Sequence, residues 1–198
     1  MQAVRVITGR AVPLNRSDVD TDQIIPAEWL KRVERTGFGV GLFSAWRDDR
    51  AFILNDERFS GASVLLAGPN FGTGSSREHA VWAIMDYGFA AVISPRFGDI
   101  FKNNAGKNGL VTAQIDADVV DRLMAAVEKD PTLEITIDVE RLVVAVPALG
   151  IETPFPMDPS TRDRFLQGLD EIGITEQHVE EIDAFERTRA AFKPSVSA

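Results

Sequence analysis

The 198-residue sequence contains no cysteine. That absence excludes disulfides, a thiol nucleophile, thiolate zinc sites and any iron–sulfur cluster held by the chain's own sulfurs. Histidine is almost as scarce, with only His79 and His178, so a histidine-rich metal site is excluded too. No stretch approaches the roughly 20 uninterrupted apolar residues of a membrane span. The opening Met1-Gln2-Ala3-Val4-Arg5 lacks the basic-then-apolar order of a signal peptide. A cytoplasmic chain without membrane attachment is therefore expected. Positive charge is also in deficit: 21 Lys and Arg face 30 Asp and Glu, a formal charge of −9. This is the wrong sign for a protein whose affinity comes from neutralising phosphates, and nucleic acid is not an expected partner. About half of the imbalance sits in the last 48 residues, with 10 acidic against 5 basic side chains. The preceding part is closer to neutral and remains open to a small anionic substrate.

With 44% hydrophobic and 26% charged residues, the chain has enough apolar material for a core and too much for disorder. Its length suits one domain with an appendage. Short β-branched runs at Val4–Thr8, Ala62–Ala67, Ala90–Ser94 and Leu110–Ile115 predict strands, most of them continuously apolar as buried parallel strands are. Helices are predicted over about Ser76–Tyr87, stopped by Gly88, Gly98–Asn108, stopped by Gly109, and Asp118–Lys129, closed by Asp130-Pro131. This alternation from Ala62 to Lys129 predicts βαβ crossovers and a largely parallel sheet. Leu133–Asp138 and Leu142–Val146 then predict a hairpin. Asp158-Pro159 opens a further helix, and Thr175 opens one that reaches toward Phe192. The tail 193–198 is expected to be flexible.

The most informative segment is Gly68-Pro69-Asn70-Phe71-Gly72-Thr73-Gly74-Ser75-Ser76-Arg77-Glu78-His79-Ala80. It joins a buried strand to a helix N-terminus, where free N–H groups and the helix dipole favour an anion. Two glycines allow close backbone approach, and Arg77 offers a planar fork suited to carboxylate or phosphate. Arg77 stands where the dinucleotide fingerprint needs a third glycine, and no Gly-Lys-Ser/Thr is present for a P-loop. Neither Ser75 nor Ser76 has the flanking glycines of a nucleophile elbow. A Ser75–His79 dyad one helical turn apart stays open. So does a purely structural reading, in which Ser75 is an N-cap and Glu78 completes its capping box.

Two further segments stand out. Asp18-Val19-Asp20-Thr21-Asp22-Gln23-Ile24-Ile25-Pro26 imitates a calcium loop, but Gln23 and Trp29 occupy the glycine and bidentate glutamate positions, so an Asx-rich turn is expected instead. Residues 28–41, from Glu28 through Trp29, Leu30, Lys31, Arg32 and Val33 to Gly37, Gly39 and Gly41, have the composition of a mobile flap over an amphiphilic anion, or of a short amphipathic helix with a surface turn.

Gly72-Thr73-Gly74-Ser75-Ser76-Arg77-Glu78-His79-Ala80 resembles the signature of the swivelling domain of the aconitase superfamily. Asp20-Thr21-Asp22-Gln23-Ile24-Ile25-Pro26 is similar to the small-subunit branch within it. Thr36-Gly37-Phe38-Gly39, Leu42-Phe43, Trp46-Arg47, Asp99-Ile100-Phe101-Lys102-Asn103-Asn104 and Asn108-Gly109-Leu110 extend the likeness to the bacterial 3-isopropylmalate dehydratase small-subunit family. It covers most of the chain and thins after about Thr153. The resemblance implies a β/β/α swivelling domain over residues 1–153, followed by a C-terminal helical appendage over 154–192. It implies a hydro-lyase active only with a large subunit, isomerising 2-isopropylmalate to 3-isopropylmalate through 2-isopropylmaleate in leucine biosynthesis. A homoaconitase-like or other hydro-lyase of the same superfamily is the alternative. No cofactor is expected on this chain, since the implied 4Fe-4S cluster belongs to the large subunit.

By the same resemblance, Ser75 is the catalytic base, and Thr73, Gly74, Ser76 and Arg77 bind the dicarboxylate hydroxy-acid substrate. Trp29, Leu30, Lys31, Arg32 and Val33 form the loop that selects its side group, with Trp29 where relatives often carry Tyr. His79 receives no proton-transfer role. Two other classes remain to be tested against the structure: a stand-alone serine hydrolase using Ser75 and His79, and a non-catalytic carboxylate-binding module.

Overall fold

A computed structural model of the chain describes residues 1–31, 36–75, 77–190 and 192. Seven strands form one mixed sheet. In chain order they are β1 (Val6–Leu14), β2 (Val64–Ala67), β3 (Ala91–Ser94), β4 (Val111–Gln114), β5 (Glu134–Asp138), β6 (Val143–Val146) and β7 (Ile151–Pro154). Their order across the sheet is β4-β3-β2-β1-β5-β6-β7. The first four strands are parallel, as the β/α alternation predicts, and the last three are antiparallel. The predicted hairpin is β5–β6, with Thr136 opposite Ala145, and β7 adds a third strand to it.

Strand β1 is longer than its apolar run suggests because it changes partners midway. Val6–Arg10 pair antiparallel with β5, and Ala11–Leu14 pair parallel with β2. Burial follows the switch: the first half is exposed or half-buried, whereas Ala11–Leu14 are fully buried. Strands β2 and β3 are buried at every position, which accounts for their continuous apolar sequence.

The helices are α1 (Thr21–Ile24), α2 (Ser44–Arg47), α3 (Glu78–Tyr87), α4 (Asp99–Asn108), α5 (Ala117–Lys129), α6 (Pro159–Gln167), α7 (Glu171–Glu176) and α8 (Val179–Arg187). Gly88 and Gly109 close α3 and α4 in the left-handed conformation, as the sequence predicts. Helix α5 buries Val120, Leu123, Met124 and Val127 on one stripe and lies across β1, β2 and β3. Asp158 caps α6 by accepting from the amides of Ser160 and Thr161, and Phe165 of that helix enters the common core. Val4 donates its amide to the Phe165 carbonyl at 2.7 Å, tying α6 to the N-terminal segment.

Beyond α6 the expected helix from Thr175 to Phe192 divides in two. Asp170 accepts from the Gly173 amide and starts α7 upstream of Thr175, and the chain breaks helical register at Gln177–His178 before α8. Neither α7 nor α8 buries a residue. The expected tail 193–198 lies outside the described residues. No helix is long and apolar enough to cross a membrane among the described residues.

Candidate active site

Parallel pairing places the carboxyl ends of β1 and β2 side by side, and the segments that follow them therefore emerge at the same edge, where open α/β sheets gather ligands. After β2 comes the Gly68–Arg77 segment; after β1 comes the Asp-rich segment leading to α1. The two interlock. Asp18 donates its amide to the Pro69 carbonyl (2.9 Å), Gly72 donates to Val19 (2.7 Å), and Asp20 and Thr73 form a parallel bridge. The imitation of a calcium loop is thus the seat of the glycine-rich loop, and its expected turn is a capped helical turn. Asp20 accepts from the Gln23 amide (2.8 Å), while Gln23 Oε1 accepts from the Asp20 amide (2.9 Å).

The loop is held from below as well. Gly72 adopts φ +74°, and a β-carbon there would stand 2.3 Å from Cγ of Phe101. Phe101, on α4, packs edge-on to Phe71 at 5.4 Å and stacks with Phe97 at 6.3 Å. Asn108, at the end of α4, donates to Glu78 Oε1 (2.7 Å) and accepts from the Trp82 indole (2.9 Å), joining α4 to the start of α3. Phe101 of the Asp99–Asn104 motif is therefore the floor of the glycine-rich segment, and Asn108 ties α4 to α3.

Gly74, at φ +88°, turns the chain outward, and Gly74 and Ser75 are exposed. The Ser75 carbonyl accepts from Thr21 Oγ1 at 2.8 Å. Helix α3 begins at Glu78 with Arg77 as its N-cap, and that N-cap makes no side-chain hydrogen bond. The expected capping box of Ser75 and Glu78 is thus corrected: Ser75 lies ahead of the helix rather than at its cap, and Glu78 bonds Asn108 instead. Among the described residues no side chain caps the positive end of α3, where an anion is favoured.

Arg77 pairs through Nη1 with the Asp22 carboxylate, and its side chain keeps 21% exposure. His79 packs edge-on to Phe38 at 5.4 Å and against Trp82 at 4.7 Å. No hydrogen bond joins it to Ser75 among the described residues, so the Ser75–His79 dyad is not assembled. Thr73 is half-buried within the bridge to Asp20. Ser76, Arg32 and Val33, all expected site residues, lie outside the described residues.

Residues 28–31 and 36–41 are both tied to the body of the domain. Residues Ala27–Lys31 form a single 3-10 turn, in which the Trp29 indole donates to Ser44 Oγ (3.2 Å). A β-carbon on Gly41 would stand 2.5 Å from the same indole, so the glycine admits the ring. Trp29 and Leu30 are half-buried and Lys31 is exposed. At the other end Phe38 is fully buried between His79 and Trp82, and the Gly39 amide donates to Asp86 Oδ2 at 3.0 Å on α3. Sequence reasoning placed Trp29 in the loop that selects the substrate side group, and the bond from its indole to Ser44 ties that end of the loop to α2. It also left Thr21, Asp22 and Phe101 without a role. The Asp-x-x-Gln capping pattern at positions 20 and 23 was the available signal for a rigid turn.

A separate cavity of about 290 Å³ lies between α4 and α6, lined in part by Lys102, Lys107, Thr161 and Arg164. It takes no residue from Gly72–Arg77, and two of its cations, Lys107 and Arg164, already pair with Glu171. Among the described residues no group of three or more acidic, cysteine or histidine side chains could hold a metal ion.

Residues 1–118 match the aconitase C-terminal domain family. That assigns the class: the chain is built on an aconitase C-terminal domain. The 3-isopropylmalate dehydratase small subunit of Frankia alni is 58% identical over 98% of this chain and 99% of its own length. The protein of the same description from Rubrobacter xylanophilus is 54% identical over 99% of this chain and 100% of its own. A crystal structure of 3-isopropylmalate dehydratase from Methanocaldococcus jannaschii superposes with a TM-score of 0.66 at 26% identity, covering 91% of this chain and 99% of that one. The chain belongs to the 3-isopropylmalate dehydratase small-subunit family.

Proposed function

We propose that the chain is the small subunit of a 3-isopropylmalate dehydratase, a hydro-lyase that isomerises 2-isopropylmalate to 3-isopropylmalate through 2-isopropylmaleate in leucine biosynthesis. The observation that carries this reading is the exposure of Ser75 on a loop whose main chain is tied down on both sides. Such a residue forms half of a site and needs a second polypeptide to close it. Full-length relatives named small subunits support a large subunit as that polypeptide.

Ser75 takes the proton from the carbon that will become unsaturated. The C–H electrons form the double bond while the C–O bond breaks on the partner's side. Addition of water in the opposite sense returns the proton from Ser75 to the neighbouring carbon. A serine hydroxyl becomes basic only where positive potential stabilises its alkoxide, and the start of α3 and Arg77 supply that potential. Arg77, with Ser76 beside it, grips a substrate carboxylate and turns the C–H bond toward Ser75. Thr73 and Gly74 shape the cradle. Trp29, Leu30, Lys31, Arg32 and Val33 form the loop that selects the side group.

The 4Fe-4S cluster, when present on the large subunit, supplies the Lewis acidity that lets hydroxide leave. This chain has no thiolate to hold it. A biosynthetic reaction on a chain without disulfides fits the cytoplasm, and the net negative charge argues against nucleic acid as a partner.

The test is reconstitution. The isolated chain is expected to be inert, and addition of the iron–sulfur large subunit is expected to produce hydration of 2-isopropylmaleate. Ser75→Ala should lower kcat by about 10²- to 10⁴-fold with the complex still assembled. Arg77→Lys should chiefly raise KM, because a point charge replaces a planar fork. Hydration by the isolated chain, or small and equal losses in the two variants, would overturn the proposal.

A further inference from the structure

We infer that Thr21 and Asp22 are positioning residues for this reaction, Thr21 acting on Ser75 and Asp22 on Arg77. The inference rests on the proposed roles of those two residues. Thr21 is 2% exposed, one of three buried polar side chains, with Ser94 and Thr112, among the described residues. It makes two bonds to the glycine-rich loop: its amide donates to the Thr73 carbonyl at 3.0 Å, and its hydroxyl donates to the Ser75 carbonyl at 2.8 Å. The two bonds bracket Gly74, the residue with least steric control over its own direction. Fixing the carbonyls on either side of that glycine fixes the Cα–Cβ direction of Ser75, and with it the arc its Oγ can sweep.

Asp22 acts one residue along the same turn. Its carboxylate is 55% exposed and takes Nη1 of Arg77, whose side chain is 21% exposed. A guanidinium carries five N–H donors in a fixed plane. Occupying one nitrogen from α1 orients that plane and leaves other donors for a substrate carboxylate. Both residues sit on α1, whose turn the Asp20–Gln23 capping box closes. The turn is therefore a rigid mount that sets the base with one side chain and the carboxylate grip with the next.

A merely structural role would lower stability or assembly together with every kinetic constant. A positioning role separates the constants. In the holoenzyme reconstituted with its iron–sulfur partner, Thr21→Val, which keeps shape and removes the hydroxyl, should lower kcat about 10- to 100-fold with KM within about twofold. Thr21→Ser, which restores the hydroxyl, should recover most of that loss. Asp22→Asn should raise KM about fivefold or more with kcat within about threefold.

Wild-type kcat in Thr21→Val, a Thr21→Ser variant as slow as Thr21→Val, or losses that track the amount of assembled complex would overturn the inference. Should Thr21→Val not assemble, Asp22→Asn at its exposed site decides, and an unchanged KM overturns it. Ser75→Ala and Arg77→Lys run alongside. If Ser75→Ala keeps its turnover, the base assignment falls and this inference falls with it. If Ser75→Ala is inactive and Thr21→Val is not impaired, only the present inference falls.

Discussion

Gly72 and Gly74 show how much depends on the surroundings of a single residue. Both have positive φ, so alanine at either is strained by about 1–2 kcal/mol. At Gly74 the nearest atom to an added β-carbon is Cβ of Asp20 at 3.4 Å, an ordinary contact. At Gly72 the added carbon meets the buried Phe101 ring. Gly72→Ala should therefore lose a further ~1–3 kcal/mol from overpacking, so that chemical denaturation ranks Gly72→Ala clearly below Gly74→Ala. Equal midpoints would show that Phe101 yields freely. The two-glycine pattern was visible in the sequence, but the difference between the glycines was not, because Phe101 is 29 positions from Gly72 and meets it only through the sheet. The same holds for Ser75. Its residue type and spacing fit a helix cap, and only the start of α3 at Glu78 shows that the serine is left outside.

At the scale of elements, the buried strands and the α3, α4 and α5 segments were legible because they are apolar on the correct period and closed by glycine or an Asp-Pro pair. The second half of β1 was not. Arg10 and Pro13 interrupt the pattern, and Ala11–Leu14 become strand through pairing with β2. The break between α7 and α8 was also hidden, since no buried face dictates where an exposed helix must stop. Helix α7 is instead tied by charge. Its Glu171 meets Arg164 at 3.1 Å and Lys107 at 3.3 Å, and hydrogen bonds from Arg164 and then Lys107 hold its carboxyl below the ordinary 4.5. A depressed carboxylate contributes fully above its unfolded value and loses that contribution as pH falls through the folded one. Amide-exchange protection in α7 should thus decline below about pH 4.5, and Glu171→Gln should be less protected at neutral pH and lack that acid-dependent step. An unchanged step in the variant would assign it to other carboxylates.

For the molecule as a whole, stability resides in the sheet and in α3 to α6. Because α7 and α8 bury no residue, a chain ending at Leu169 should keep the cooperative thermal unfolding of the full chain, with Phe165 still in the core. Loss of the transition on calorimetry would show that the last two helices are integral to the fold. Within the body, β1 belongs to both halves of the sheet, bonded along its first five residues to one and along its last four to the other. Neither half can pull away and keep the strand for itself. The sheet thereby has no hinge between its two edges: load applied at the loop beyond β2 is carried straight through β1 to β7.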